Sequence, residues 1–65
     1  MAERDITSVV WHERGHRIEV TYAEGDTDRL RGSEAVAVVL AKNAGLSAVA
    51  APEGSRRWAR HPDPT

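Results

Sequence analysis

The run His12-Glu13-Arg14-Gly15-His16 sets two imidazoles and a carboxylate at a spacing that can do chemistry. It matches H-E-x-x-H, which on a helix puts both histidines on one side of a zinc ion with the Glu beside the bound water. Gly15 inside the run, and β-type alternation on both sides of it, place it in a turn instead. His61, the one remaining histidine, lies in a proline-rich tail, and there is no cysteine to supply a thiolate. On a hairpin, His12 and His16 face each other across the strands and form at most a weak two-ligand metal site. No cofactor is expected.

The arginines form two local groups, Arg29-Leu30-Arg31 and Arg56-Arg57-Trp58-Ala59-Arg60. Basic side chains interleaved with an aromatic are what contact with a phosphate backbone uses. Asp26, Asp28 and Glu34 flank the first group, so the second is the cleaner candidate, with Arg56, Arg57 and Arg60 as its contacts. For acid–base work the candidates are Glu13 near the two histidines and the Asp26/Asp28 pair. All sit at turns or on an edge, where carboxylates are ordinarily solvated. The order of residues shows no Ser-His-Asp arrangement, phosphate loop or dinucleotide fingerprint. Catalysis is therefore not expected, nor is a small-molecule substrate, since so short a chain builds little concavity.

The elements that position these groups are small. The chain has 65 residues and a formal net charge of -1, from nine basic and ten acidic side chains. That balance draws it as a whole toward neither nucleic acid nor an anionic membrane. One domain is expected over residues 1–60, with 61–65 a disordered tail. No apolar run approaches a membrane span, and the charged start Met1-Ala2-Glu3-Arg4-Asp5 lacks the apolar stretch of a signal peptide. A cytoplasmic location follows by default. With no disulfide to help so small a core, self-association is a natural source of further stability.

Three polar loops end in Gly: Glu13-Arg14-Gly15, Ala23-Glu24-Gly25 and Pro52-Glu53-Gly54. Three-residue hairpin loops want a left-handed residue at that third position, so each reads as a hairpin turn. The first turn puts His12 opposite His16, Trp11 opposite Arg17, Val10 opposite Ile18 and Val9 opposite Glu19. Ile6, Val10, Ile18, Val20 and Tyr22 then share the core face, and Thr7, Val9, Trp11, Arg17, Glu19 and Thr21 the other. The second turn places Leu30 opposite Ile18 in a short, charged edge strand, about residues 26–31.

Ser33 and Glu34 open a helix, Val36, Val39 and Leu40 form its buried stripe, and Gly45 ends it with Leu46 as the following apolar contact. Residues 46–50 and 55–60 make a last hairpin, with Trp58 opposite Ala48 in the core. The expected fold is a small α+β domain, β-β-β-α-β-β, one helix on one face of a largely antiparallel sheet. A second reading leaves 51–65 irregular.

On this register Trp11 stands on the open face with Arg17 across from it, a cation–π pair and an interface anchor. The leading functional expectation is thus a non-enzymatic protein-interaction or regulatory module, in one form a homodimer. Val9, Trp11, Arg17 and Glu19 would make the contact. The alternative is a small nucleic-acid-binding protein working through Arg56, Arg57 and Arg60.

Overall fold

The computed structural model describes residues 5–60. The expected tail over 61–65, with His61 in it, and the charged start at 1–4 lie outside the described residues. The strands are β1 (Ile6–His12), β2 (Arg17–Tyr22), β3 (Thr27–Arg31), β4 (Ser47–Val49) and β5 (Ser55–Ala59), and one helix, α1 (Glu34–Asn43), falls between β3 and β4. They form a single five-stranded sheet in the order β3-β2-β1-β5-β4. Every pairing is antiparallel. The expected β-β-β-α-β-β fold is the observed one, including the last hairpin, so the reading that left 51–65 irregular is set aside.

The β2–β3 turn is built as its sequence implies. Gly25 is left-handed at φ 100°, and Tyr22 donates its N–H to the Asp26 carbonyl at 2.9 Å. Leu30 falls opposite Ile18.

The first hairpin differs. Its loop holds four residues, Glu13 to His16, because His16 as well as Gly15 is left-handed, at φ 48° and 82°. Pairing moves by one residue, so Trp11 lies opposite Ile18, Val9 opposite Val20, and His12 opposite Arg17. A slip of one residue turns every side chain of a strand over. Val9 and Trp11 therefore join Ile18 and Val20 on the core side, and Val10 goes to the other. The reason is apolar burial. Val9-Val10-Trp11 offers apolar groups to both faces, and this register buries two of them in place of one. An extra residue between Ile6 and Ser8 bulges β1 and brings Ile6 back opposite Tyr22, packed against the core.

The helix also turns a different side inward. Ala37 and Ala41 are fully buried, with Leu40, Val38 and Ala44 partly covered beside them. Val36 and Val39, expected in the buried stripe, are 46% and 56% exposed. Residues 35–41 are all apolar, so periodicity could not choose a side. Alanines at the contact let the helix backbone sit close over β1 and β5, where Val9 and Trp58 lie. Ser33 occupies the N-cap position without a side-chain capping bond. The C-terminal stop is as expected: left-handed Gly45 gives its N–H to Lys42, and Leu46 gives its N–H to Ala41 at 2.9 Å, with the Leu46 side chain buried.

The core is Val9, Ile18, Val20, Ala37, Ala41, Leu46 and Trp58. Trp58 lies opposite both Val9 and Ala48, as the central apolar block of β5. Among the described residues, no helix is long and apolar enough to cross a membrane. The helix covers one face of the sheet, and no described element covers the other.

Candidate functional site

Alternation fixes what the uncovered face carries. Its central row runs Arg29, Glu19, Val10, Arg57 and Val49 across the five strands. One row toward the β1–β2 loop stand Arg31, Arg17, His12 and Ser55. On the other side lie Thr27, Thr21, Ser8, Ala59 and Ser47. The strands thus present four arginines here and a single carboxylate, Glu19. This cation excess sits on a chain whose overall charge is slightly negative.

The polar side chains form a chain across four strands. Ser55 Oγ lies 3.4 Å from His12 Nδ1, and His12 Nε2 lies 3.7 Å from Glu19 Oε1. The second Glu19 oxygen meets Arg29 Nε at 3.5 Å. The order serine, histidine, carboxylate is that of a nucleophilic triad, and the sequence could not reveal it, because Ser55 reaches His12 only through the β1–β5 pairing. Both separations are long, Glu19 is shared with an arginine, and the Ser55 N–H, the donor nearest its hydroxyl, is spent on the Pro52 carbonyl. What the row does achieve is to pair the one carboxylate on the strands with Arg29, leaving Arg17, Arg31 and Arg57 as strand cations with no ion pair to a described residue.

Arg17 and Arg31 are direct cross-strand partners, both exposed, and neither forms an ion pair with a described residue. Like charges so placed cost stability. Beside them an open hollow of about 670 Å³ is lined by His12, Glu13, Arg14, Arg17, Glu53, Gly54 and Ser55. It is held together by the bond from Glu13 N–H to the Gly54 carbonyl, which ties the β1–β2 loop to the β4–β5 loop.

The sequence-derived candidates separate on this frame. Arg17 and Glu19 are on the uncovered face as expected. Val9 is wholly buried, and Trp11 faces the helix, half-buried, with its indole N–H donating to the Gly32 carbonyl at 3.1 Å. An exposed surface built on Val9 and Trp11, with Arg17 stacked on the indole, is therefore corrected by the register. The ring that meets Trp11 is His16, at 6.4 Å between centroids. His12 and His16 do not oppose each other either: His12 is paired with Arg17 on the uncovered side, while His16 belongs to the loop and turns toward Trp11. The two-imidazole site is thus dismantled, and no group of three or more metal-ligating side chains occurs among the described residues.

The C-terminal arginines are likewise divided. Arg57 is on the uncovered face, Arg56 is on the helix side in an ion pair with Glu34 at 3.1 Å, and Arg60 follows β5 with its N–H on the Thr7 carbonyl. What sequence reasoning missed is that Arg57, Arg17, Arg29 and Arg31 share one surface. The signal that could have found it is the alternation of β5 once set beside β1.

No protein-family model, no curated protein and no solved structure matches this chain.

Proposed function

We propose that the chain is a small nucleic-acid-binding protein that holds a phosphate backbone against the uncovered face of its sheet. The observation that carries this reading is the unneutralised Arg17–Arg31 pair, two like charges directly opposed on neighbouring strands. A fold gains nothing from that pairing alone, and a phosphate lying between the two guanidiniums turns the cost into binding energy. Arg57 and Arg29 stand on either side of the centre of the same face, three strand spacings apart, or roughly 14 Å. A backbone crossing the strands can therefore meet cations at both ends of its path.

The strands of this face carry no Phe, Tyr or Trp, with His12 as their one ring, so stacking on bases contributes little there. Contacts to phosphate position a chain without reading its sequence. Binding is accordingly electrostatic, sequence-tolerant and steeply dependent on salt. Arg17, Arg29, Arg31 and Arg57 act as phosphate ligands. Ser55 and His12 offer hydrogen-bonding groups at the margin, and Glu19 sets the orientation of Arg29. Of the three arginines expected as contacts, Arg57 keeps that role in this reading, while Arg56 is paired with Glu34.

The test is fluorescence anisotropy on labelled single-stranded DNA, duplex DNA and RNA at low ionic strength, repeated over a salt series. Engagement of three to four arginines gives a log–log salt slope of about -2 to -4. Arg17→Ala and Arg57→Ala each reduce that slope by nearly one, while Arg56→Ala leaves it in place. Absence of binding to all three probes at low salt, or equal losses at Arg56 and Arg57, refutes the assignment.

A further inference from the structure

Two side chains on the uncovered face are each held by one polar atom and offer the other. His12 sets its Nδ1 against Ser55 Oγ at 3.4 Å and turns its Nε2 toward Glu19. Glu19 sets Oε2 against Arg29 Nε at 3.5 Å and turns Oε1 toward His12. Nε2 and Oε1 stand 3.7 Å apart, close enough to attract and too far for a direct hydrogen bond, so neither is spent on the other. The two side chains are 30% and 31% exposed, packed enough to keep an orientation and open enough to be reached. Arg17 lies directly across from His12 and two residues from Glu19 along β2, with Arg31 as its own cross-strand partner. The hollow of about 670 Å³ bordered by His12, Arg17 and Ser55 leaves room beside the pair.

A carboxylate, an imidazole and unneutralised guanidiniums are the parts that cleavage of an RNA backbone requires. RNA brings its own nucleophile, the ribose 2′-hydroxyl, so the long approach of Ser55 to His12 is no obstacle. The reaction needs a base for the 2′-hydroxyl proton, an acid for the departing 5′-oxygen, and cations on the phosphoryl oxygens. Entering and leaving oxygens lie in line through phosphorus. Where two metal ions clamp such a pair of oxygens they stand about 3.5–4 Å apart, which measures the span to be served. The Oε1–Nε2 separation of 3.7 Å falls within it. The ion-paired state, carboxylate beside imidazolium, is also the one in which Glu19 can take a proton and His12 can give one.

We infer that this face cleaves RNA as well as holding it, by transfer of the phosphoryl group to the neighbouring 2′-hydroxyl. Glu19 Oε1 takes the 2′-hydroxyl proton as the 2′-oxygen bonds to phosphorus. The bond from phosphorus to the 5′-oxygen breaks, and His12 Nε2 gives that oxygen its proton. The products are a 2′,3′-cyclic phosphate and a 5′-hydroxyl end. Arg17 and Arg31 hold the nonbridging oxygens, where negative charge gathers. His12 keeps its other proton on Nδ1, facing Ser55 Oγ. Exchange with water then takes the proton from Glu19 and returns one to Nε2. The inference rests on the phosphate-binding reading and adds chemistry to it.

The test uses three labelled oligonucleotides: DNA with a single internal ribonucleotide, the same strand with that residue 2′-O-methylated, and DNA alone. Each is incubated with the full chain in EDTA at low ionic strength, with binding followed by anisotropy alongside. All three bind, and the first alone is cut, on the 3′ side of its ribonucleotide, leaving a cyclic phosphate. Glu19→Gln and His12→Ala each slow the cut by about 10²–10⁴-fold, while affinity for the methylated strand falls far less and the far-UV circular dichroism is retained. The methylated strand puts the same question to the unaltered protein, whether or not a variant folds. Binding without cleavage overturns the inference and leaves the phosphate-binding reading standing. So does cutting of the methylated or the all-DNA strand, or a cut that persists at full rate in either variant. Failure of all three strands to bind overturns both.

Discussion

Gly32 joins β3 to the helix, and a single methyl group there tests how tightly the two layers fit. A Cβ built at Gly32 lies 2.8 Å from Ile18 Cδ1 and 3.5 Å from Val36 Cβ. Carbon atoms pack best at about 3.5–4.0 Å, so the second contact is ordinary and the first is a collision of roughly 0.7 Å or more. Ile18 is completely buried and has little room to yield. The backbone at Gly32 is not left-handed, so no conformational strain confuses the result.

Gly32→Ala thus gains about 0.4–1 kcal/mol from a less flexible unfolded chain and loses about 1–3 kcal/mol to overpacking. The expected net loss is about 1–2 kcal/mol, with Tm falling about 4–8 °C for each kcal/mol. Ile18→Val removes the colliding Cδ1 and by itself costs about 0.5–1.5 kcal/mol. In the double variant the new methyl occupies the vacated space, so the pair is no less stable than Ile18→Val alone. The assay is urea unfolding followed by tryptophan fluorescence, with all four proteins in one cycle. Additive losses, or a Gly32→Ala protein as stable as the parent, would refute the packing described for β2, β3 and the helix.

Other outcomes follow from the same geometry. Arg31→Glu replaces the repulsion facing Arg17 with an attraction, so the fold gains about 0.2–1 kcal/mol in thermal unfolding while phosphate binding drops several-fold; a loss of stability counts against the cross-strand pairing. Trp58→Ala removes the largest buried side chain and costs about 3–5 kcal/mol in urea unfolding, enough to unfold so small a domain, whereas an effect below about 1 kcal/mol would deny it a place in the core. His16→Gly relieves a left-handed non-glycine residue and raises stability by about 1 kcal/mol in the same assay. A destabilised His16→Gly protein would mean that the ring contact with Trp11 outweighs the backbone cost.

Much of this fold was written locally. The β2–β3 turn, the Gly45–Leu46 helix stop and the facing of Trp58 and Ala48 each rest on residues close in sequence, and each is found where the residue types place it. Two features were not local. Val9-Val10-Trp11 suits either face of a strand, and the choice was made by a four-residue loop in which a histidine adopts the conformation expected of glycine alone. That one residue decided whether Trp11 faced solvent or helix, and with it the whole expected contact surface. The helix gave no periodic signal, because an apolar run from 35 to 41 serves packing on two sides equally well. The arginine face depended on a third element, the docking of β5 against β1, which joins positions that no spacing rule relates.

That docking also governs how the chain reaches its native state. β1 meets β2 across a four-residue loop, but meets β5 across a separation of 43 residues, as in the contact between His12 and Ser55. The first pairing is a microsecond hairpin event, and the second must wait for the helix and the last turn. Between the two, the strand that ends at the centre of the sheet has one edge paired and the other bare, with Val9 still lacking Trp58 beside it. An unpaired edge beside an apolar side chain is where chains associate wrongly during folding. The slow step and the aggregation-prone interval therefore coincide, and both end when Trp58 arrives.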